Sequence, residues 1–424
     1  MYTLIIIGLG ISGISCATHS KLNKLNFVVL EKNNNYGGCW YNKAFDFTHL
    51  QTDSNIYRFL NFNKSMKRHP SRKEILEYIG DYINKYKLLD NVLFNSNVIS
   101  VNYDKYWNVK FCHNNNIKII QSKYLMICNG ILNQPNIPKF INKDIYSKQI
   151  IHSSRLHNKI SKIVNKKIVI IGNGATGLEL SVYLSKKNDI TLLYRKPKFI
   201  LKTTVLKLPS SLLITRFSLN QIRNYSLWFF MILITTLIRL LYNNYLSLPI
   251  EKPNSKNVLS NNNIINLINS NKIDYIQDTI KQFNKNNIVL NSGREINTDL
   301  VILATGYKSH VSFMSKFKLS KYRYKYIIDP NIKNCAFIGH CASYNWLQVA
   351  ELQAIWYVNV ILGKIQLPNI NTMKHDINIR KHKITEYNDL TYEAFDYCDE
   401  LLNDIKYDNY IIKDLGYWFC KPLF

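Results

Sequence analysis

Two glycine clusters of the same type carry the clearest chemistry in this chain: Gly8-Leu9-Gly10-Ile11-Ser12-Gly13 and Gly172-Asn173-Gly174-Ala175-Thr176-Gly177. In such a turn the first glycine makes the bend. The second lets the backbone approach a pyrophosphate, and the third lets the next helix pack closely on the strand before it. The helix N-terminus then meets the anion with unpaired N–H groups and the positive end of its dipole. Both clusters have the setting this requires, because the apolar runs Leu4 to Ile7 and Ile168 to Ile171 read as strands and each cluster opens a plausible helix. One fingerprint is a weak signal, but two in one chain predict two bound dinucleotides.

The residue ending the second strand of a βαβ unit meets the adenosine ribose, and the two sites differ there. Phe27-Val28-Val29-Leu30-Glu31 ends in a carboxylate, which accepts hydrogen bonds from free ribose hydroxyls and repels a phosphate. That fits FAD or NAD. Ile190-Thr191-Leu192-Leu193-Tyr194-Arg195-Lys196 ends in two cations, and an arginine forks onto a 2′-phosphate. That fits NADP. The bland alternatives are a solvated strand end at Glu31 and a surface basic pair at Arg195-Lys196.

The elements that must position these turns follow from periodicity. Ser71-Arg72-Lys73-Glu74 has the form of a capping box, and Ile75, Ile79, Tyr82, Ile83 and Tyr86 then recur at helical spacing, predicting a helix from Ser71 to about Lys87. Val98 to Tyr103, Trp107 to Cys112, Ile117 to Gln121 and Tyr124 to Cys128 predict a meander and a strand returning to the first sheet. Pro135 and Pro138 punctuate the crossing into the second unit, and a later strand, Leu300 to Ala304, leads into Thr305-Gly306-Tyr307. The second unit therefore reads as inserted into the first.

A chain of 424 residues with 46% hydrophobic content has ample core for two or three domains. Its eight cysteines form no C-x-x-C pair, so no metal site and no dithiol redox pair is expected, and a reducing, cytoplasmic setting is the simpler one. The chain opens directly on the first strand, which leaves no room ahead of it for a signal peptide. The net charge of +27 invites a nucleic-acid partner. Yet the lysines are spread over the whole length beside asparagine runs such as Asn33 to Asn35 and Asn261 to Asn263, which is compositional bias rather than a patch, and no nucleic acid is expected. Such a surface still helps recruit anionic cofactors. Leu227 to Ile238 is almost continuously apolar, but Thr235, Thr236 and Arg239 interrupt a run shorter than the roughly 20 residues a span needs. A buried helix or lid is the favoured reading of 226–248, with peripheral membrane contact its rival.

The order of these motifs resembles the flavin-containing monooxygenases, the class B flavoprotein monooxygenases. The resemblance runs through the first fingerprint and its acidic strand end, Tyr36-Gly37-Gly38-Cys39-Trp40, the second fingerprint followed by Arg195, Leu303-Ala304-Thr305-Gly306-Tyr307, and Ala350-Glu351-Leu352-Gln353-Ala354-Ile355-Trp356. Leu50-Gln51-Thr52-Asp53 and Glu74-Ile75-Leu76-Glu77-Tyr78 resemble the plant-type N-oxygenating branch. The likeness spans most of the chain, and Phe199 to Asn257 stands outside it.

The resemblance implies an α/β fold of two Rossmann-like dinucleotide-binding domains, the NADPH domain inserted into the FAD domain. The expected segments are 1–155 for FAD, 156–299 for NADPH with an apolar helical insertion near 200–250, and 300–424 for the rest of the FAD domain and C-terminal helices. It also implies an NADPH- and oxygen-dependent oxidoreductase that inserts one oxygen atom into a soft nitrogen or sulfur of a small molecule through a flavin C4a-hydroperoxide. Gly8, Gly10, Gly13 and Glu31 would hold FAD, with Gly38 and Trp40 along it. Thr305, Gly306 and Gly339 would bring backbone near the cofactors, Gly339 just before a helix starting near Trp346. Gly172, Gly174, Gly177, Arg195 and Lys196 would hold NADPH. Trp356 reads better as core.

Two departures stand out. The family's identifying stretch, F-x-G-x-x-x-H-x-x-x-aromatic, falls on Tyr146 to Leu156, where His152 is kept but Lys148 replaces the glycine and Leu156 the aromatic. Asp53 stands where several members place an asparagine near the flavin. It is therefore the candidate catalytic residue, against the alternative that it caps the turn before Ile56. A flavoprotein oxidase or reductase releasing hydrogen peroxide remains the alternative function, with disulfide reduction or a charge-recruited regulator further off. Substrate identity and oligomeric state stay open, a homodimer included.

Overall fold

The computed structural model describes residues 1–157, 159–205, 208–209, 258–343, 345–381 and 394–406. The apolar segment 226–248, with Trp228, Phe229 and Phe230, lies outside the described residues. Among the described residues no helix is long and apolar enough to cross a membrane. The chain forms two compact units, one of residues 1–46, 53–133 and 309–424, the other of 47–52 and 134–308.

The first unit begins with β1 (Tyr2–Ile7), α1 (Ile11–Leu22) and β2 (Phe27–Leu30). β2 is buried throughout and β1 from Leu4 onward, as expected of unbroken apolar runs in a parallel sheet covered on both faces. α2 (Arg72–Lys85) starts at the full capping box of Ser71 and Glu74. β3 (Val92–Leu93), β4 (Ser96–Tyr103), β5 (Trp107–His113) and β6 (Asn116–Ile127) complete a sheet in the order β3-β2-β1-β6-β5-β4. The hairpin between β5 and β6 turns on Asn114 and Asn115, both at positive φ, as a two-residue turn of matching twist demands.

β6 joins what the sequence divides into two strands. Ser122 pairs with Trp107 on one side and with Tyr2 on the other, so the antiparallel meander hands directly over to the parallel sheet without a break. A last parallel strand lies against β6 at Cys335–Phe337. Trp107, Phe111 and Phe337 fill the core between these strands. The apolar helix Trp346–Ile361 is buried over most of its length and packs on α1. The Trp356 indole, placed in the core as expected, donates to the Asp404 carboxylate at 2.7 Å.

The second unit repeats the plan. β7 (Gln149–His152), β8 (Lys167–Ile171), α3 (Ala175–Leu184), β9 (Asp189–Tyr194), α4 (Ile264–Asn269) and β10 (Ile273–Gln277) are followed by an antiparallel trio, β11 (Ile280–Phe283), β12 (Asn287–Leu290) and β13 (Glu295–Asn297), and then β14 (Leu300–Leu303). The main sheet is wholly parallel in the order β10-β9-β8-β14-β7. The trio packs on it through Phe283, Ile288 and Leu290 against Val169, Val301 and Leu303.

Here the structure corrects the expected segments. β14 pairs with β8 and β7 rather than opening the third segment, so the divisions fall after 133 and 308 instead of 155 and 299. A four-residue apolar strand is buried equally well in either parallel sheet, and nothing in Leu-Val-Ile-Leu marks which. The segment 47–52 also belongs to the second unit, against the expectation that 1–155 runs unbroken as the first part of the FAD domain.

Candidate functional site

The two glycine turns are built alike to within a few tenths of an ångström. Gly8 has φ +102°, and a Cβ on it would sit 2.7 Å from the Cys128 carbonyl oxygen; Gly172 has φ +109°, and its Cβ would sit 2.5 Å from that of Ala304. A Cβ on Gly13 would fall 1.8 Å from the Gly8 oxygen, and one on Gly177 would fall 1.8 Å from the Gly172 oxygen. No side chain fits at these four places. The middle glycines meet no such wall: nothing lies within 4 Å of a Cβ at Gly174, and Gly10 faces only Gly38, 3.5 Å away. The space a side chain would occupy there is what an approaching phosphate needs.

The helices behind the turns are equally telling. α1 and α3 start at Gly10 and Gly174 with no side-chain cap and no acid in the first turn, whereas α2 carries both. The leading N–H groups of α1 and α3 thus retain their capacity for an anion. The residues present fit two dinucleotides.

The β2 end holds Glu31, buried to 4% exposure. Its carboxylate accepts from the Leu9 backbone N–H at 2.6 Å and from the backbone and side-chain N–H groups of Asn33 at 2.9 and 2.6 Å. It therefore pins the middle of the first fingerprint, and a carboxylate has lone pairs left for ribose hydroxyls. Gly38, at φ +56°, lies so near the turn that a Cβ would be 2.9 Å from the Gly10 Cα. Trp40, one turn on, donates its indole N–H to the Tyr57 hydroxyl at 2.6 Å. Gly339, at φ +72°, faces the Ser12 side chain of α1, and its N–H donates to the buried Gln353 amide oxygen at 2.8 Å.

In the second unit Arg195 and Lys196 follow β9 and are exposed. The Asn173 side chain, inside the fingerprint, donates to the Lys196 carbonyl at 3.1 Å and to the Tyr275 hydroxyl at 2.9 Å, and Tyr275 stacks on Tyr194 at 4.1 Å. One amide thus ties the phosphate turn to the cationic strand end.

Thr305 and Gly306 sit in this unit, where β14 ends against Gly172. Their counterpart in the first unit is Asn129-Gly130 at the end of β6, against Gly8. Gly130 and Gly306 share positive φ, +70° and +76°. Sequence reasoning singled out Thr305-Gly306 and passed over Asn129-Gly130. The signal was the matching run of an apolar strand, a small residue, a polar one and glycine in Cys128-Asn129-Gly130 and Ala304-Thr305-Gly306.

Asp53 does not point an uncommitted carboxylate at a site. It is fully buried, caps the turn Ser54–Ile56 by accepting the Asn55 N–H at 2.9 Å, and pairs with Arg68 at 3.2 Å. These contacts support the capping alternative. His152 ends β7 with both ring nitrogens engaged: Nδ1 accepts the Ser154 N–H at 3.2 Å, which leaves Nε2 to donate to the Gly306 carbonyl at 3.1 Å. It is a strut within the second unit.

One cysteine contact is not announced by any C-x-x-C spacing. Cys16 and Cys128, 112 positions apart, bring their sulfurs to 3.5 Å behind the first turn. Burial holds the Cys16 thiol well above its ordinary pKa, which keeps it protonated and unreactive.

The family described as Flavin-binding monooxygenase-like matches residues 2–413. The chain belongs to that family. Its members are oxidoreductases that use FAD and NADP, in keeping with the two turns above. Among known proteins the chain is 26% identical to flavin-containing monooxygenase 1 of Homo sapiens over 98% of this chain and 83% of that one. Its fold matches a crystal structure of OTEMO in complex with FAD and NADP at 15% identity, TM-score 0.75, over 96% of this chain and 98% of that one. It also matches S-allyl-L-cysteine S-oxygenase of Allium sativum at 17% identity, TM-score 0.67, over 96% and 88%.

Proposed function

We propose that this family member catalyses the NADPH- and oxygen-dependent transfer of one oxygen atom to a soft nucleophilic nitrogen or sulfur of a small molecule. The observation that carries the proposal is the pair of congruent, uncapped helix starts whose second strands end in opposite charge, acid at Glu31 and base at Arg195-Lys196. The human relative is named a flavin-containing monooxygenase, the sulfur oxygenation named for the Allium sativum enzyme supports a sulfur acceptor, and the nitrogen acceptor rests on the resemblance of Leu50 to Asp53 and Glu74 to Tyr78 to the N-oxygenating branch.

FAD, when bound, supplies the redox and oxygen chemistry with electrons drawn from NADPH. The chain's own part is placement. Gly8, Gly10 and Gly13 let the N–H groups at the start of α1 reach the FAD pyrophosphate, and Glu31 both orders that turn and accepts the ribose hydroxyls. Gly38 and Trp40 line the cofactor, Trp40 held in orientation by Tyr57. Gly339, braced by Gln353, brings backbone to the same end of α1. Gly172, Gly174 and Gly177 repeat the cradle for NADPH, and Arg195 with Lys196 neutralises its 2′-phosphate. Thr305 and Gly306 close the wall of that second cradle. No acid–base triad is assigned, because the group attacked and the group attacking are both outside the protein.

The test is oxygen-dependent NADPH oxidation by the purified yellow protein, with hydrogen peroxide release followed across a panel of amines and sulfides. Oxygenated product that replaces peroxide release is the expected result. Peroxide release undiminished by every candidate would make the protein an oxidase instead.

A further inference from the structure

The segment Phe47–Thr52 leaves the first unit after Asp46 and returns to it at Asp53, yet it packs in the second unit. Its polar anchor is one carboxyl. The Thr48 hydroxyl donates to Glu179 Oε2 at 2.9 Å, and the Gln51 side-chain amide donates to the same group. Beside this, the Phe47 ring stacks on Tyr183 at 4.1 Å with 12° between planes. Glu179 and Tyr183 stand four apart on α3 and so share a face, and α3 is the helix whose start forms the NADPH cradle. Glu179 follows Gly177 by two residues. The anchor and the phosphate site are therefore a single rigid turn apart.

We propose that Glu179 is a positioning residue: it fastens Phe47–Thr52 to the fingerprint helix, so that docking of NADP at the helix start and the placement of this segment are linked. The inference rests on the assignment of the second cradle to NADPH. The chemistry of the pair explains the choice of side chain. A bare carboxylate so near the start of α3 would repel a pyrophosphate there, whereas a half-buried carboxyl taking two hydrogen bonds from the segment is shielded from it. Burial pushes the Glu179 carboxyl up to about 7, which keeps much of it uncharged near neutral pH. With the hydroxyl and amide in place, ordering of the start of α3 and ordering of Phe47–Thr52 go together.

Hydrogen–deuterium exchange on the FAD-loaded full chain, with and without saturating NADP+, tests this. In the wild type NADP+ should slow exchange at 172–177 and, together with it, at 47–52 by about tenfold. Glu179→Ala and Thr48→Val should keep the protection at 172–177 and lose that at 47–52, with the Kd for NADP+ weakened about two- to tenfold, the worth of one or two hydrogen bonds. Glu179→Gln, which retains an acceptor at the same place, should restore both. Protection of 47–52 that ignores NADP+, or that survives in both Glu179→Ala and Thr48→Val, would overturn the link while leaving the cofactor assignment standing. A wild type showing no NADP+ protection at 172–177 would remove the cofactor assignment and the link with it.

Discussion

Gly177→Ala separates the two cofactor sites in one substitution. The added Cβ would stand 1.8 Å from the Gly172 oxygen and must retreat by about 1.2 Å to reach the 3.0 Å that real Cβ contacts respect. Gly172 has no room to yield, since its own Cβ position lies 2.5 Å from the Ala304 oxygen, so the start of α3 has to move. Overpacking of this kind costs about 1–3 kcal/mol. Paid out of cofactor binding, that is roughly five- to 150-fold in affinity. The assay is NADP+ titration of the yellow holoprotein by calorimetry, with FAD content read from absorbance. Affinity for NADP+ should fall by that factor while FAD content holds, because Gly13 does the same work in the other unit. Gly13→Ala should do the reverse and yield colourless protein. A Gly177→Ala protein that binds NADP+ as the wild type does would refute the assignment of this turn.

Replacing Arg195 by Ala should weaken NADPH by about ten- to hundredfold, the worth of a charge-assisted hydrogen bond to phosphate, and leave NADH unaffected; equal loss with both coenzymes in steady-state kinetics would show that the cation does not read the 2′-phosphate. Asp53→Ala should lower stability by about 1 kcal/mol in urea unfolding through the lost cap, while Asp53→Asn, itself a good cap, should change little and leave NADPH use coupled to product; a large rise in peroxide release in Asp53→Asn would return Asp53 to the chemistry. Burial raises Glu179 from its ordinary 4.5 to about 7, so the folded chain holds a proton the unfolded chain releases. The resulting stability is complete below about 4.5 and is lost as the pH rises through about 7. Urea midpoints of the wild type relative to Glu179→Gln should decline across that window, and a pH-independent difference would show the carboxyl does not titrate there.

Much of the cofactor chemistry was legible because its determinants are local. A pyrophosphate cradle needs glycine at fixed offsets along six consecutive residues, and the strand end that reads the ribose closes the same βαβ unit. The capping box of Ser71 and Glu74 was legible for the same reason, and α2 forms behind it. What escaped was whatever depends on which strand lies beside which. Asn129-Gly130 gains its meaning only from lying against Gly8, and Asn173 only from reaching Tyr275 across two neighbouring strands. Gln353 was visible in a family motif, but its role as the acceptor for the Gly339 N–H needed the helix to be folded back on the turn.

By itself the amino-acid sequence determined two dinucleotide turns, the opposite charges that follow them, and an α/β chain to carry them, because each of these is set by side-chain type at short range. Tertiary structure decided which sheet owns β14, where the chain divides, that Cys16 meets Cys128, and that a six-residue segment of the first domain's sequence lodges on the helix of the second. Those outcomes turn on burial of apolar strands and on partners far apart along the chain. An apolar strand carries no mark of its destination, and a threonine reveals its carboxyl only once the two are packed together.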